Sequence, residues 1–318
     1  MNSFLKAFFS LADLVLAPAV YPAGYLLKLI RRALIYMPLC KRVLLQIGVF
    51  PIRDHYYEPL FDGRRLRHPL HQERDLPGLE WNVEEQLDLL KSFYFEEEIK
   101  DTAISKRGDM GIDFDYGPFR SGDSEYWYSL IRRKKPQRVF EIGSGNSTLI
   151  AMKALRKNQE DIPGYHCKHL CIEPYETPWL EKTGAIVVRQ PVEEVGKELF
   201  SELTQGDILF IDSSHIIRPQ GDVLFAYLAL LPSLNKGVIV HIHDIFSPRD
   251  YPETFVIREV RFWNEQYLLE AFLTGNRDWK IIGALNYLHH NHFETLQEKC
   301  PFLTRDREPG SFYIEKIA

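Results

Sequence analysis

From Arg138 to the end of the chain, short apolar runs alternate with longer segments of helical pattern, and no other feature constrains the fold as tightly. The runs are RVFEI (138–142), HLCIE (169–173), AIVVR (185–189), DILFID (207–212), GVIVHIH (237–243), WKIIGAL (279–285) and SFYIEK (311–316). Most are β-branched or aromatic and apolar throughout, the pattern of strands buried on both faces. Helical patterns lie between them at 147–157, 177–182, 192–203, 220–234 and 253–275. Such alternation links parallel strands through right-handed crossovers. The expectation is an α/β fold with a doubly wound, mostly parallel, seven-stranded Rossmann-like sheet. Its last two strands, joined by a loop-like stretch at 286–310, are expected as an antiparallel edge pair.

Upstream the chain changes character. Residues 1–50 read as an apolar helical arm, 51–135 as a cap or substrate-side extension, and 136–318 as the alternating domain. Between Phe8 and Leu27 the single charge is Asp13, and the stretch is long enough for a bilayer, which takes about 20 apolar residues. Pro18 and Pro22 interrupt it, and Lys28, Arg31, Arg32, Lys41 and Arg42 follow. An anchor through residues 4–34, with its basic flank at the cytoplasmic face, stands beside an arm packed on the domain or on a second copy in a homo-oligomer. Ala17-Pro18-Ala19 also has the look of a cleavage site. Over 318 residues the net charge is −5, so no global basic field argues for nucleic acid. Cys40, Cys167, Cys171 and Cys300 are too scattered for a disulfide framework and suit a reducing, cytoplasmic compartment.

The first strand runs into Gly143-Ser144-Gly145 and then Ser147-Thr148. A dinucleotide fingerprint would place a third glycine where Thr148 stands, so the pattern is E-x-G-x-G-x-S-T. It resembles motif I of the class I S-adenosylmethionine-dependent methyltransferases, whose glycine turn passes beneath the methionine part of the cofactor. The resemblance assigns the cofactor to Glu141, Gly143, Ser144, Gly145, Ser147 and Thr148, and to Asp212 further along the chain. Glu173, at the end of the second strand, is expected to accept from both ribose hydroxyls. Gln190 and Val192 are expected to frame the adenine. The stretch 206–252 and the closing PGSFYIEK (309–316) resemble the methyltransferase-24 family, with Asp212 ending strand four and His243-Asp244 ending strand five. The sequence after strand four, IDSSH, lacks the N-P-P-Y-type tetrapeptide of nucleic-acid methyltransferases.

An oxygen acceptor must lose its proton, to a base or through a metal. Asp212, His215, His243 and Asp244 all fall where strands four and five end, which makes Asp212, His215 and His243 the catalytic candidates. A divalent cation, magnesium or manganese, would be held by Asp212, His243 and Asp244. Asp244 is followed by Ile245, where plant caffeoyl-CoA and catechol O-methyltransferases carry Asp or Asn. His241 alternates with His243 and is expected to be structural. Cys167, His169 and Cys171 share one strand face without a second ligand pair, which makes zinc a poor fit. His289, His290 and His292 are expected in a solvated loop or on the acceptor rim.

Acceptor contacts are expected from outside the sheet: His55, Tyr56 and Tyr57 in the aromatic run 53–59, and Arg249, or Tyr251, in a mobile loop at 246–252. Ser121-Gly122-Asp123, in the stretch 117–131, is expected near the methionine carboxylate. The function expected is O-methylation of a small molecule or a lipid-linked saccharide. A hydroxylase of the cephalosporin type, with iron on two histidines and a carboxylate, and a cofactor-binding scaffold without turnover stay open.

Overall fold

The computed structural model describes residues 3–104, 119–175 and 177–318. Gly117 and Pro118, which open the aromatic stretch 117–131, lie outside the described residues. Two compact units divide the chain, Met1–Pro69 and Leu70–Ala318.

In the first unit, helix α1 runs from Ser3 to Arg32 and helix α2 from Pro38 to Gln46. Pro38 opens α2 at a position where a missing N–H costs nothing. Glu58 closes the unit on itself. Its carboxylate accepts from the Arg53 backbone N–H at 2.8 Å, from Arg53 Nε at 2.8 Å and from Arg31 Nε at 3.1 Å. The Arg53 backbone N–H, with the two guanidinium groups, holds the Glu58 carboxyl down at about 2.

The second unit begins with α3 (Val83–Lys91), α4 (Glu96–Ile104) and α5 (Asp123–Lys134). Strands β1 (Arg138–Ile142), β2 (Lys168–Ile172), β3 (Ile186–Val188), β4 (Ile208–Ile211), β5 (Ile239–Ile242), β6 (Trp279–Ala284) and β7 (Phe312–Lys316) then form one sheet. Its order is β3-β2-β1-β4-β5-β7-β6, parallel except for β7, which runs antiparallel between β5 and β6. The seven-stranded doubly wound sheet is therefore present. Of the expected edge pair only β6 is an edge, because β7 inserts beside β5 and takes hydrogen bonds on both sides. The stretch expected as loop contains two helices, Leu285–Asn291 and Phe293–Lys299. They bury Leu285, Leu288, Phe293 and Leu296, an apolar set at helical spacing.

Alternate residues of each strand feed opposite sides of the sheet. On β4, Ile208 and Phe210 join one core cluster while Leu209 and Ile211 join the other. The first side also receives Leu90, Phe93, Phe95, Tyr126 and Trp127 from the region ahead of the sheet. Helix α6 (Asn146–Asp161) packs on α5 on that side. Arg132, 4% exposed, crosses between them to Glu98, Asn158 and Asp161.

Candidate active site

Where β1 ends, Gly143 adopts φ +84°, and its N–H donates to the Ile172 carbonyl at 3.0 Å. A Cβ there would lie 1.9 Å from the Asp212 carbonyl oxygen, so only glycine lets β1 turn this close to β4. Beside Gly145 a Cβ would meet no protein atom within 4 Å, leaving space above the turn. Glu173 follows β2, with one oxygen accepting from the Ser144 N–H at 3.1 Å and the other from the Tyr175 N–H at 3.0 Å. Glu173, Gly143, Tyr175, Val192 and Asp212 line a cavity of about 570 Å³.

Glu141, Ser147 and Thr148 sit beneath the turn rather than on this cavity. The Glu141 carboxylate is fully buried and accepts from Ser147 Oγ at 3.2 Å and Thr148 Oγ1 at 3.0 Å, with His169 Nε2 at 2.5 Å. Thr148 Oγ1 in turn accepts from the Gly145 N–H at 3.2 Å. These groups brace the glycine turn from below. Cys171 joins Glu141 and His169 in a buried trio, while burial pushes the Cys171 thiol well up and keeps it neutral. Gln190 is exposed, and its neighbours Pro191, Val192 and Glu193 line the cavity instead.

The ends of β4 and β5 form the second part of the site. His215 Nε2 lies 3.2 Å from Asp212 and 3.5 Å from Asp244, while its Nδ1 meets Glu265 at 2.8 Å. His243 Nδ1 lies 3.6 Å from Asp212 and 3.8 Å from Asp244, and its Nε2 is 3.9 Å from Asp123. Neither His243 nitrogen has a hydrogen-bond partner among the described residues, although the ring is buried. Burial opposes charge on both rings. Asp212 and Glu265 nevertheless bring His215 up to about 10, and Asp244, Asp212 and Asp123 raise His243 well above its ordinary value. Burial alone would raise Asp212, but His243 and His215 hold its carboxyl well below the carboxylate range. His215 (φ +59°) and Asp244 (φ +56°) both occupy the left-handed region. Each such residue costs about 1–3 kcal/mol, a strain that concentrates at functional sites.

This cluster opens into another cavity, of about 770 Å³. Asp123, Asp212, His215, His243 and Asp244 line its floor, and Phe255, Arg261 and Trp263 lie on its wall. Trp263 packs 4.4 Å from the His215 ring, and the Arg261 guanidinium stacks 4.2 Å over Trp263 and 4.0 Å over Phe255. The wall follows a π-turn at Thr254–Arg258 and Val260 at φ +53°, an outlying conformation for a β-branched residue. Asp212, Ser213 and Ser214 line both cavities.

Sequence reasoning brought Asp212, His215, His243 and Asp244 together, but it missed Glu265, Trp263, Arg261 and Phe255. Glu265 comes from a helix (Glu265–Leu273) 50 residues after His215, and no local spacing marks that pairing. Arg249 lies in the second unit but off the cavity wall, bound to the His71 carbonyl, Glu73 and Asn286. Tyr251 is 2% exposed, its hydroxyl accepting from the Gln266 N–H. Loop 246–252 is tied to the helix Glu265–Leu273: the Phe246 N–H donates to Gln266 at 2.6 Å and Ser247 Oγ to Glu270 at 2.6 Å. His55, Tyr56 and Tyr57 belong to the first unit, where both tyrosines are exposed and the Tyr57 ring packs against those of His55 and Tyr56. His241 is buried against Phe210 and Tyr313, and burial keeps its ring neutral. His289 and His290 are helical, with His289 buried.

Residues 140–245 match a family model described as a methyltransferase domain, of the methyltransferase-24 kind. The match runs from β1 to just past β5, about a third of the chain. An uncharacterized protein of Archaeoglobus fulgidus is 26% identical over 173 residues, half of this chain and 76% of that one. Among solved structures, the O-methyltransferase TomG of Streptomyces achromogenes is 12% identical, covering 75% of this chain and 97% of its own, at a TM-score of 0.38. An O-methyltransferase of Bacillus cereus is 11% identical, covering 75% and 98%, at a TM-score of 0.37. The methyltransferase MycE, crystallised with Mg and S-adenosylhomocysteine, is 14% identical, covering 78% and 64%, at a TM-score of 0.38.

Proposed function

We propose that this domain transfers a methyl group from S-adenosylmethionine to a hydroxyl of a small molecule or saccharide. The observation that carries the reading is the wall shared by the two cavities. Asp212, Ser213 and Ser214 separate a donor side holding Glu173 from an acceptor side holding His215. A sulfonium donor and a hydroxyl acceptor can meet there in line.

In this reading Glu173 takes the ribose hydroxyls and the open space beside Gly145 admits the methionine portion. Glu265 orients His215 through Nδ1, so that Nε2 faces the reacting hydroxyl. As the acceptor oxygen bonds to the methyl carbon and the carbon–sulfur bond breaks, the hydroxyl proton passes to the Asp244 carboxylate, 3.5 Å from the charged His215 ring. Trp263 and Phe255 supply a shelf for the apolar face of a sugar ring, and Asp306, Arg307 and Glu308 supply polar groups at the rim.

The residues present fit a divalent cation. Asp212, His215 and Asp244 offer ligand atoms within 4.8 Å of one another, and His243 adds a buried nitrogen without a partner. Asp212, Asp244 and His243 would hold it, an oxygen and nitrogen set suited to magnesium or manganese. When bound, such an ion lowers the proton affinity of a hydroxyl that contacts it.

Helix α1 is read as a membrane contact at the cytoplasmic face. Residues Leu5–Arg32 are long and apolar enough to cross a bilayer. The deciding experiment is calorimetric titration of chelator-treated protein with S-adenosylmethionine, repeated with magnesium or manganese. Micromolar binding is expected; no binding under any condition would overturn the reading.

A further inference from the structure

Beyond α1, the first unit leaves a second apolar surface uncovered. On and after α2, Leu39 is 71% exposed, Val43 54%, Leu45 58%, Ile47 64% and Val49 53%. Leu39, Val43 and Ile47 recur every four residues on one face, and an exposed apolar face marks a surface that something covers. Three observations identify the occupant. First, Lys41 and Arg42 lie on the same short helix and, with Pro38, Leu45 and Gln46, line a shallow groove of about 410 Å³. Second, Arg31 stacks 5.0 Å over Phe50 and bonds to Glu58, which also holds Arg53. These contacts tie the segment after α2 back to the basic end of α1, where Lys28, Arg31 and Arg32 cluster. Third, at about 1.5 Å per residue the 28-residue apolar helix is roughly 42 Å long, more than a hydrocarbon core of about 30 Å requires. Its basic end therefore reaches headgroup level.

We infer that residues 38–52 form an interfacial collar that lies flat on an anionic bilayer surface, with Lys41 and Arg42 contacting lipid phosphates and Leu39, Val43 and Ile47 entering the acyl boundary. Apolar and basic residues on one short helix are the signature of such binding, and polybasic segments gain from anionic lipid. The inference rests on reading α1 as a membrane contact and adds a distinct lipid-reading element outside residues 4–34. The collar makes attachment depend on lipid charge, which an apolar helix alone does not.

The test uses the full chain with Cys40 and Cys167 replaced by Ser and an environment-sensitive fluorophore at Val43→Cys or, separately, at Val15→Cys. Vesicles are phosphatidylcholine alone or mixed with phosphatidylglycerol. Val43→Cys emission is expected to shift to the blue and gain intensity on the mixed vesicles. In a Lys41→Glu/Arg42→Glu background, or at high salt, it should fall to the neutral-vesicle level. The Val15→Cys signal should report lipid in every case. A Val43→Cys label that stays in water on mixed vesicles, while Val15→Cys is buried, overturns the collar and leaves the anchor standing. If both labels stay in water, the anchor reading fails as well. A Val43→Cys label buried without lipid, in a species whose mass rises with concentration, assigns the surface to a second copy of the chain and overturns the inference.

Discussion

Gly143 and Glu173 are the residues where physical chemistry gives the sharpest expectations. With a Cβ 1.9 Å from the Asp212 carbonyl at a backbone φ of +84°, Gly143→Ala must push β1 and β4 apart. A fall in melting temperature of several degrees and loss of S-adenosylmethionine binding are expected by calorimetry. On the proposed role of Glu173 as acceptor for the ribose hydroxyls, Glu173→Ala should weaken cofactor binding by about 1–3 kcal/mol. Unchanged affinity would show that Glu173 does not hold the ribose. Glu265→Gln keeps a partner for His215 but loses the carboxylate, so turnover should fall by roughly 10²-fold or more at unchanged cofactor affinity. Equal loss of binding and turnover would make Glu265 a purely structural contact. Both Gly143 and Glu173 were legible in sequence because each ends a strand whose apolar run fixes its position. Glu265 was not, since its role depends on a long-range contact with His215.

At the scale of elements, the loop after β4 depends on Asp222, which opens the helix Asp222–Phe225. Its carboxylate accepts from the Ser214 N–H at 2.7 Å and from Ser214 Oγ at 2.8 Å. Burial would raise this carboxyl, but the Ser214 bonds, with Ser213 and Arg218, lower it below its ordinary 3.8. The folded protein thus keeps Asp222 ionised at a pH where the unfolded chain protonates it. Its contribution is complete above about pH 3.8 and is lost as the pH falls through the lower folded value. Denaturant midpoints measured from pH 6 to 3 should fall less steeply in Asp222→Asn, which starts less stable. Identical slopes would remove Asp222 as an acid-sensitive tie. The strands were readable within a residue or two because each is short, apolar and bounded by polar ends. The stretch 286–310 was misread because its helices are only seven residues long, the first rich in His and Asn, and packing decides them.

For the whole molecule, the division at Pro69 predicts that residues 70–318 fold by themselves and bind S-adenosylmethionine as the full chain does. Expression of that fragment, followed by titration, checks this. Deleting residues 3–34 should move the protein from the membrane to the soluble fraction, and no shift would count against an anchor. The alternating pattern from Arg138 onward sufficed to specify the sheet, the glycine turn and the strand-end carboxylates, because strand burial and turn geometry are local constraints written in residue period. Tertiary structure alone decided that β7 lies between β5 and β6, and that Leu90 and Phe93 from far upstream complete the core. It also decided that Trp263 and Glu265 meet His215. Those outcomes depend on which apolar faces and polar groups satisfy one another across distant elements, and no spacing along the chain records that.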